Sequence, residues 1–511
     1  MKNKKYIEFP FLILLGIITS SSLPPYNFVF INFIIFSLFF YFLYIKKKSF
    51  KRDNIFLFGW LFGFGYFLSN LYWITFSLEF DDNFEFLIPL ALILIPSFLA
   101  IFYGIVTYCF FLINLKNALS NLMLFSLLIG LSEFLRGLVF TGFPWNLIAY
   151  SFSNNIEILQ IISLIGTYAF NVICISFFSS LAIFFLKKNK KEILFCIILL
   201  LLPIIFYVYG FYKIKSFQLL EKIKNDRLIR VIGSEIEINR FFENTNTKTV
   251  IDELIQLSDP NPDTKTLFIW PEGIIPQINQ SDLKDFEFLF NKRFNKNHLI
   301  VIGINHFDNI SGKNKYYNSF SLYDHKLNVV SAYNKVNLVP FGEFLPFEKI
   351  LSNFGLKSLT NNYQSYTKGD KREIITVKDD DFIIKILPLI CYEIIYSGKI
   401  FDNDNFDYIV NISEDGWFGD SIGPYQHFTH SIFRAIESGK YVIRSANNGI
   451  TAIISPVGSV EKKISLSNSG YIDFYEKRVS NSTLFSKQGN NMFLILILLY
   501  IFLMFSFNRI S

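Results

Sequence analysis

Cysteine is scarce in this sequence, with four in 511 residues: Cys109, Cys174, Cys196 and Cys391. Three of them fall inside long apolar runs, where a thiol packs like any small hydrophobe. Only Cys391 lies in the polar part of the chain, so it has no disulfide partner there. A lone thiol so placed is either an inert core residue or a nucleophile. Histidine numbers only five. His427 and His430 share helical spacing, yet no cysteine or carboxylate pattern completes a zinc set around them. An ordinary helix surface is their expected setting. Also missing are a phosphate-cradling glycine-rich loop and any internal repeat, which argues against nucleotide cofactors. No metal and no cofactor are therefore expected. The formal net charge is only +6, from 48 cations and 42 anions. That excess is too small and too scattered to suggest a nucleic-acid partner.

Apolar residues, by contrast, make up 51% of the chain, with 62 phenylalanines among them. A bilayer core about 30 Å thick takes roughly 20 such residues per helix. Eight stretches qualify, near 8–24, 28–45, 55–76, 86–114, 120–139, 157–186, 193–213 and 491–507. The fourth is long enough to tilt, or to kink at Pro96. The expected organisation is an α-helical membrane domain over 1–214, a water-soluble block over 215–488 and a closing membrane helix in 489–511. Cations mark alternate ends of the spans: Lys2, Lys4 and Lys5; Lys46, Lys47, Lys48, Lys51 and Arg52; Lys116; Lys187, Lys188, Lys190 and Lys191. The loops between, around 25–27, 77–85 and 140–156, hold no lysine or arginine. By the positive-inside rule the amino terminus is cytoplasmic, and seven crossings put 215–488 outside. In a cell with two membranes this is the periplasmic side of the inner membrane. Ser20-Ser21-Ser22 after the first run also fits a leader cleavage site, but an uncleaved span is expected.

Inside the soluble block, residues 382–390 (F-I-I-K-I-L-P-L-I) read as a buried strand ending at Cys391-Tyr392-Glu393. A second strand, 266–270, runs into Pro271-Glu272-Gly273, and a third, near 328–334, leads to Lys335. Strand ends of an open sheet are where side chains from distant sequence converge. An acid, an amine and a thiol so placed supply a base, an oxyanion stabiliser and a nucleophile. A surface ion pair between Glu272 and Lys335 fits the spacing equally well.

The Glu272, Lys335 and Cys391 settings resemble the nitrilase or carbon–nitrogen hydrolase superfamily, which implies an αββα sandwich. Longer strings are more specific. W-P-E-G at 270–273, K-V-N-L-V-P-F-G-E-F-L-P at 335–346, C-Y-E at 391–393, the run at 411–428 and R-S-A-N-N-G-I-T-A at 444–452 resemble the apolipoprotein N-acyltransferase family. S-E-F-L-R-G-L-V-F-T-G-F-P-W-N at 132–146 is similar to that family's membrane half. Two strings depart from it: V-I-G-S-E-I-E at 231–237, read as the first strand, and Gly273 after the acid.

The resemblance implies acyl transfer from a membrane phospholipid, through a thioester on Cys391, to the amine of a diacylglyceryl-modified apolipoprotein. Glu272 is then the base, and Lys335 the oxyanion stabiliser whose charge favours the thiolate. Glu343 and Glu393 are candidates for orienting Lys335 and substrate, with Tyr392 beside them. Trp417 and Phe418 are candidates for the acyl pocket, and Phe241 for an aromatic gate. Glu133 and Arg136, three residues apart in the fifth span, form a buried ion pair or meet lipid headgroups. The apolar segment 341–359 reads as an arm dipping into the membrane. A monomer is expected. A membrane-tethered amidase and an inactive polytopic scaffold remain as alternatives.

Overall fold

The apolar runs fold into helices, as their length and lack of interior charge require in a bilayer. The computed structural model describes residues 2–49, 54–186, 190–243, 245–310, 312–357, 364–379, 382–398, 400 and 405–509. The cations Lys51, Arg52, Lys187 and Lys188 and the last residues of the 341–359 arm lie outside these described residues. The membrane half comprises α1 (Lys2–Thr19), α2 (Ile31–Lys48), α3 (Ile55–Leu71), α4 (Ile88–Leu112), α5 (Ala118–Arg136), a short α6 (Ile156–Leu159), α7 (Ile162–Ser179) and α8 (Lys190–Gln218). Among the described residues, six segments are long and apolar enough to cross a membrane: Ile55–Leu78, Glu85–Leu112, Ala118–Arg136, Ile162–Phe185, Lys190–Gln218 and Asn491–Arg509. The other two expected spans are helices as well. α1 and the 3-10 turn after it carry the shorter apolar stretch Ile7–Ser22, and α2 ends in Lys46, Lys47 and Lys48.

The stretch expected as one span over 157–186 is interrupted. Gly166 takes φ +77°, ψ 170° within α7, and a side chain there would meet the Phe485 ring at 2.0 Å. Only glycine allows both that backbone and that approach.

The lysines that end α2, begin α8 and join α4 to α5 gather on one face of the bundle. Lys47 Nζ donates to the Ile113 carbonyl and to Asn121 Oδ1, and the Lys116 N–H donates to Asn508 Oδ1. The opposite ends of the helices meet the soluble block.

That block is two six-stranded sheets. The first runs β12 (Gly470–Arg478), β1 (Lys222–Gly233), β2 (Thr266–Ile269), β3 (His298–Ile310), β4 (Lys313–Asp324), β5 (Val329–Asn334). The second runs β11 (Val460–Ile464), β10 (Thr451–Ile454), β9 (Tyr441–Asn447), β8 (Tyr408–Glu414), β7 (Phe382–Ile390), β6 (Ile375–Asp379). Each has a parallel centre, β1-β2-β3 and β7-β8-β9, flanked by antiparallel strands. β1 begins earlier than the string at 231–237, because its first residues pair with the end of β12.

Period-two alternation sorts each strand between layers. On β2, Leu267 and Ile269 enter the core between the sheets, while Phe268, with Trp270 just past the strand, turns outward with Val250, Ile251 and Leu254 of α9 (Thr247–Ser258). Two small helices, α10 (Glu287–Phe290) and α11 (Glu348–Leu351), lie on connections. The outer face of the second sheet packs on α12 (Gly423–Ser438), giving the αββα order. α12 is itself covered by α7, so one outer helix of the sandwich is also the seam with the membrane half. A short α13 (Leu484–Gln488) then leads to α14 (Asn491–Arg509), which returns beside α5 and α7.

Candidate active site

The carboxyl ends of the parallel strands of both sheets face one another. From the first sheet, β2 delivers Glu272. The backbone there passes so close to β3 that a Cβ on Gly303 would lie 2.4 Å from the Glu272 Cα. Lys335 directly follows β5, its N–H donating to the Asn318 carbonyl at 2.9 Å. From the second sheet, β7 ends at Ile390, and Cys391 turns the chain into a 3-10 helix over Cys391–Ile395. Cys391 does so at φ +48°, a left-handed conformation that costs a non-glycine residue about 1 kcal/mol or more.

One buried lysine is gripped by two carboxylates. Lys335 Nζ donates to Glu272 Oε1 at 3.1 Å and to Glu343 Oε1 at 2.9 Å. Asn318 Nδ2 braces the same two oxygens at 2.8 and 2.7 Å. The remaining oxygens are held by backbone: Glu272 Oε2 accepts from the Glu414 N–H at 3.0 Å, and Glu343 Oε2 from the Val339 N–H at 2.8 Å. Lys335 is 1% exposed, which rules out the surface ion pair.

Burial opposes the Lys335 charge, but Glu272 and Glu343 outweigh it and hold its pKa well above the usual lysine value. Burial also raises the pKa of Glu343, Lys335 pulling it down and Glu272 pushing it up. The Cys391 thiol rises well above its ordinary value, through burial first and the Glu272 charge second, with Lys335 opposing. Lys335 thus pulls toward the thiolate, in the direction expected of its charge, and burial with Glu272 outweighs it. Two carboxylates around one ammonium leave no surplus positive charge to hold a third anion.

The neighbouring residues brace this cluster. Glu393 is fully buried. Its Oε1 accepts from Tyr333 Oη at 2.7 Å, from the N–H groups of Val336 and Asn337 at 3.1 Å each, and from Arg372 at 2.9 Å. Its Oε2 accepts from the Ile390 N–H at 2.9 Å, so one side chain ties the end of β7 to the turn after Lys335. Tyr392 points the other way, its hydroxyl donating to the Gly142 carbonyl at 2.8 Å, where Tyr396 Oη also donates. The loop that receives them follows α5. Arg136 there donates to the Phe143 carbonyl and pairs with Glu133, to which Tyr103 Oη donates at 2.7 Å. The Glu133–Arg136 couple is thus an internal ion pair. It anchors the loop that receives Tyr392 and Tyr396.

Aromatic rings close the space between the two halves of the protein. Phe241 lies 5.0 Å from Trp417, and its ring crowds the position a Gly273 side chain would take. Phe418 packs edge-on to Trp73 at 4.8 Å and lies 5.6 Å from Trp145. In the 341–357 portion of the arm, Phe341, Phe347 and Ile350 are half or more exposed.

Sequence reasoning missed Asn318, Tyr333 and Arg372, single polar residues in apolar or irregular surroundings that carry no motif of their own. The two histidines expected on a helix surface are both buried, because α12 is covered on both sides; His427 is 0% and His430 1% exposed. The density of polar residues in the run at 411–428 was the available signal.

Two family profiles cover the chain: Apolipoprotein N-acyltransferase N-terminal domain over residues 15–181, and Carbon-nitrogen hydrolase over 264–473. Apolipoprotein N-acyltransferase of Rickettsia prowazekii is 34% identical over 497 residues, covering 94% of each chain. This chain belongs to the apolipoprotein N-acyltransferase family. Members from Brucella melitensis and Rhizobium rhizogenes are 31% and 30% identical, covering 82% and 90% of this chain and 79% and 88% of their own. The membership joins the membrane bundle and the sandwich in one functional unit, as the shared seam at α12 already requires.

Proposed function

We propose that this protein N-acylates lipoproteins in the cytoplasmic membrane, taking the acyl chain from a phospholipid through a thioester on Cys391. The observation that carries this reading is the buried Glu272–Lys335–Glu343 cluster facing a strained cysteine, enclosed by aromatic rings that continue into the membrane half. Family membership supplies the lipoprotein acceptor and the membrane setting.

In the first half-reaction Glu272 takes the thiol proton as Cys391 Sγ attacks the ester carbonyl carbon. Two protons of the Lys335 ammonium are held by Glu272 and Glu343, and the third meets the developing oxyanion. Collapse breaks the ester C–O bond, and Glu272 returns the proton to the departing lysophospholipid oxygen. In the second, the lipoprotein α-amine attacks the thioester, passes a proton to Glu272 and forms an amide. The Cys391 sulfur leaves and regains that proton. Glu343 holds Lys335 in register. Phe241, Trp417 and Phe418 line the acyl path, and the exposed arm around Phe347 dips into the lipid surface.

Residues 215–488 act outside the cytoplasm. The positive-inside rule supports that sidedness, since the lysines that end α2, begin α8 and join α4 to α5 lie on the bundle face away from the sandwich. Purified protein given phosphatidylethanolamine and a diacylglyceryl-cysteine peptide should yield N-acyl peptide and lysophospholipid. Free fatty acid with unmodified peptide would instead make it a hydrolase.

A further inference from the structure

Behind the nucleophile, away from Glu272 and Lys335, lies a second buried polar cluster that the chemistry above leaves unused. His427, on the first turns of α12, is fully buried, as are Asp415 and Arg444. The His427 Nε2 stands 3.2 Å from the Cys391 carbonyl oxygen, which Asn411 Nδ2 approaches at 3.4 Å from the other side. The His427 Nδ1 stands 2.9 Å from Asp415 Oδ1 and 3.2 Å from Arg444 Nη2. The Cys391 carbonyl and the Asp415 carboxylate both only accept, so each ring nitrogen faces an acceptor: a proton on Nε2 serves the carbonyl, with Nδ1 taking the Arg444 N–H, and a proton on Nδ1 serves Asp415. Arg444 is fixed in turn by Asp415 Oδ2 at 2.6 Å and by Asn411. The Trp145 indole, from the loop after α5, stacks on the imidazole at 5.5 Å and 23° and donates to Gln426 Oε1 at 2.7 Å.

We propose that His427 is a positioning residue for the nucleophile, holding the Cys391 carbonyl so that the peptide stays in its left-handed turn with the thiol toward Glu272 and Lys335. The inference rests on Cys391 being the acylated residue. A left-handed non-glycine residue persists only where its surroundings over-determine it. His427 is the group that does so from the membrane-facing side, because α12 and Trp145 both belong to the seam. Seating of the sandwich on the bundle is thereby transmitted to the reacting sulfur.

Two amides separate the two ring nitrogens. In His427→Gln the Nε2 amide reaches the Cys391 carbonyl, whereas in His427→Asn the shorter side chain reaches only toward Asp415. Full-length protein in phospholipid-containing detergent micelles is given saturating phosphatidylethanolamine labelled in its acyl chain. The rate of hydroxylamine-sensitive labelling of Cys391 is followed beside the thermal midpoint. The expected order is wild type, then His427→Gln within about threefold, then His427→Asn slower by about tenfold or more, with the phospholipid KM unchanged. Wild-type labelling with His427→Asn as fast as His427→Gln would overturn the role of His427 while leaving the thioester intact. Rates that track the thermal midpoint alone, without the Gln-over-Asn order, would reduce His427 to packing and also overturn it. Absence of label on wild-type Cys391 would instead remove the underlying reading of the site.

Discussion

Ionising Cys391 beside Glu272 would place a third negative charge around a single ammonium in a space closed to water. On the proposed route the proton therefore leaves as the carbon–sulfur bond forms. The pKa of the thiol lies well above the ordinary value near 9, so its thiolate fraction grows only at alkaline pH. Alkylation of Cys391 by a small haloacetamide should keep accelerating beyond pH 9, and a plateau below pH 8 would show a preformed thiolate instead. On the acid side, burial and the neighbouring Glu272 charge hold the Glu343 pKa above the usual carboxylate range, against the pull of Lys335. Activity should fall as pH drops through that raised value. Glu343→Gln removes the repulsion and leaves Lys335 to Glu272 alone, so the acid limb of the acylation rate should move to lower pH while thioester still forms. A limb that stays in place would assign it to another group. Replacing Lys335 by alanine leaves two close buried carboxylates unpaired, a loss of about 3–5 kcal/mol in comparable sites. Its activity must be read beside its stability.

Among the elements, the loop between α5 and the first aromatic wall has the most to do with the least sequence. Gly142 takes φ +79°, and a Cβ there would strike the Gly137 carbonyl at 2.3 Å and approach the Tyr396 ring at 3.3 Å. Gly142→Ala should cost about 1–3 kcal/mol in that loop, loosen the seat of Tyr392 and slow acyl transfer while the protein still inserts. Wild-type turnover by that variant would separate the loop from the site. Strands β7, β2 and β5 were legible in the sequence because each is an apolar run stopped by a polar or proline-bearing string. The broken helix at 157–186 was not, since its interruption depends on Phe485 arriving from more than 300 positions away. Asn318 was equally hidden: a lone asparagine in a strand shows its purpose only when two carboxylates are folded against it. The histidines of α12 misled for a related reason, because helical spacing says which residues share a face and nothing of what covers that face.

For the whole molecule, the eight helices and the sandwich act as one body joined at α12, α13 and the loop after α5. The run of cations at alternate helix ends gives an expected sidedness that a fused reporter can test. A reporter active only outside the cytoplasm should work when fused after residue 300 and fail after residue 189; the reverse pattern would place Cys391 in the cytoplasm. The exposed Phe347, at 72% of its free surface, should matter only when lipid is presented as a bilayer. Phe347→Asp should raise the apparent KM for phospholipid in vesicles and leave turnover in detergent micelles nearly unchanged. The most direct measurement is made with phospholipid alone, before any acceptor is added. Wild-type protein should release one lysophospholipid per active site and hold the acyl chain on Cys391 in a bond cleaved by hydroxylamine, and Cys391→Ser should do neither. Release of lysophospholipid only when the acceptor peptide is present, with no acyl chain on Cys391, would contradict the covalent route.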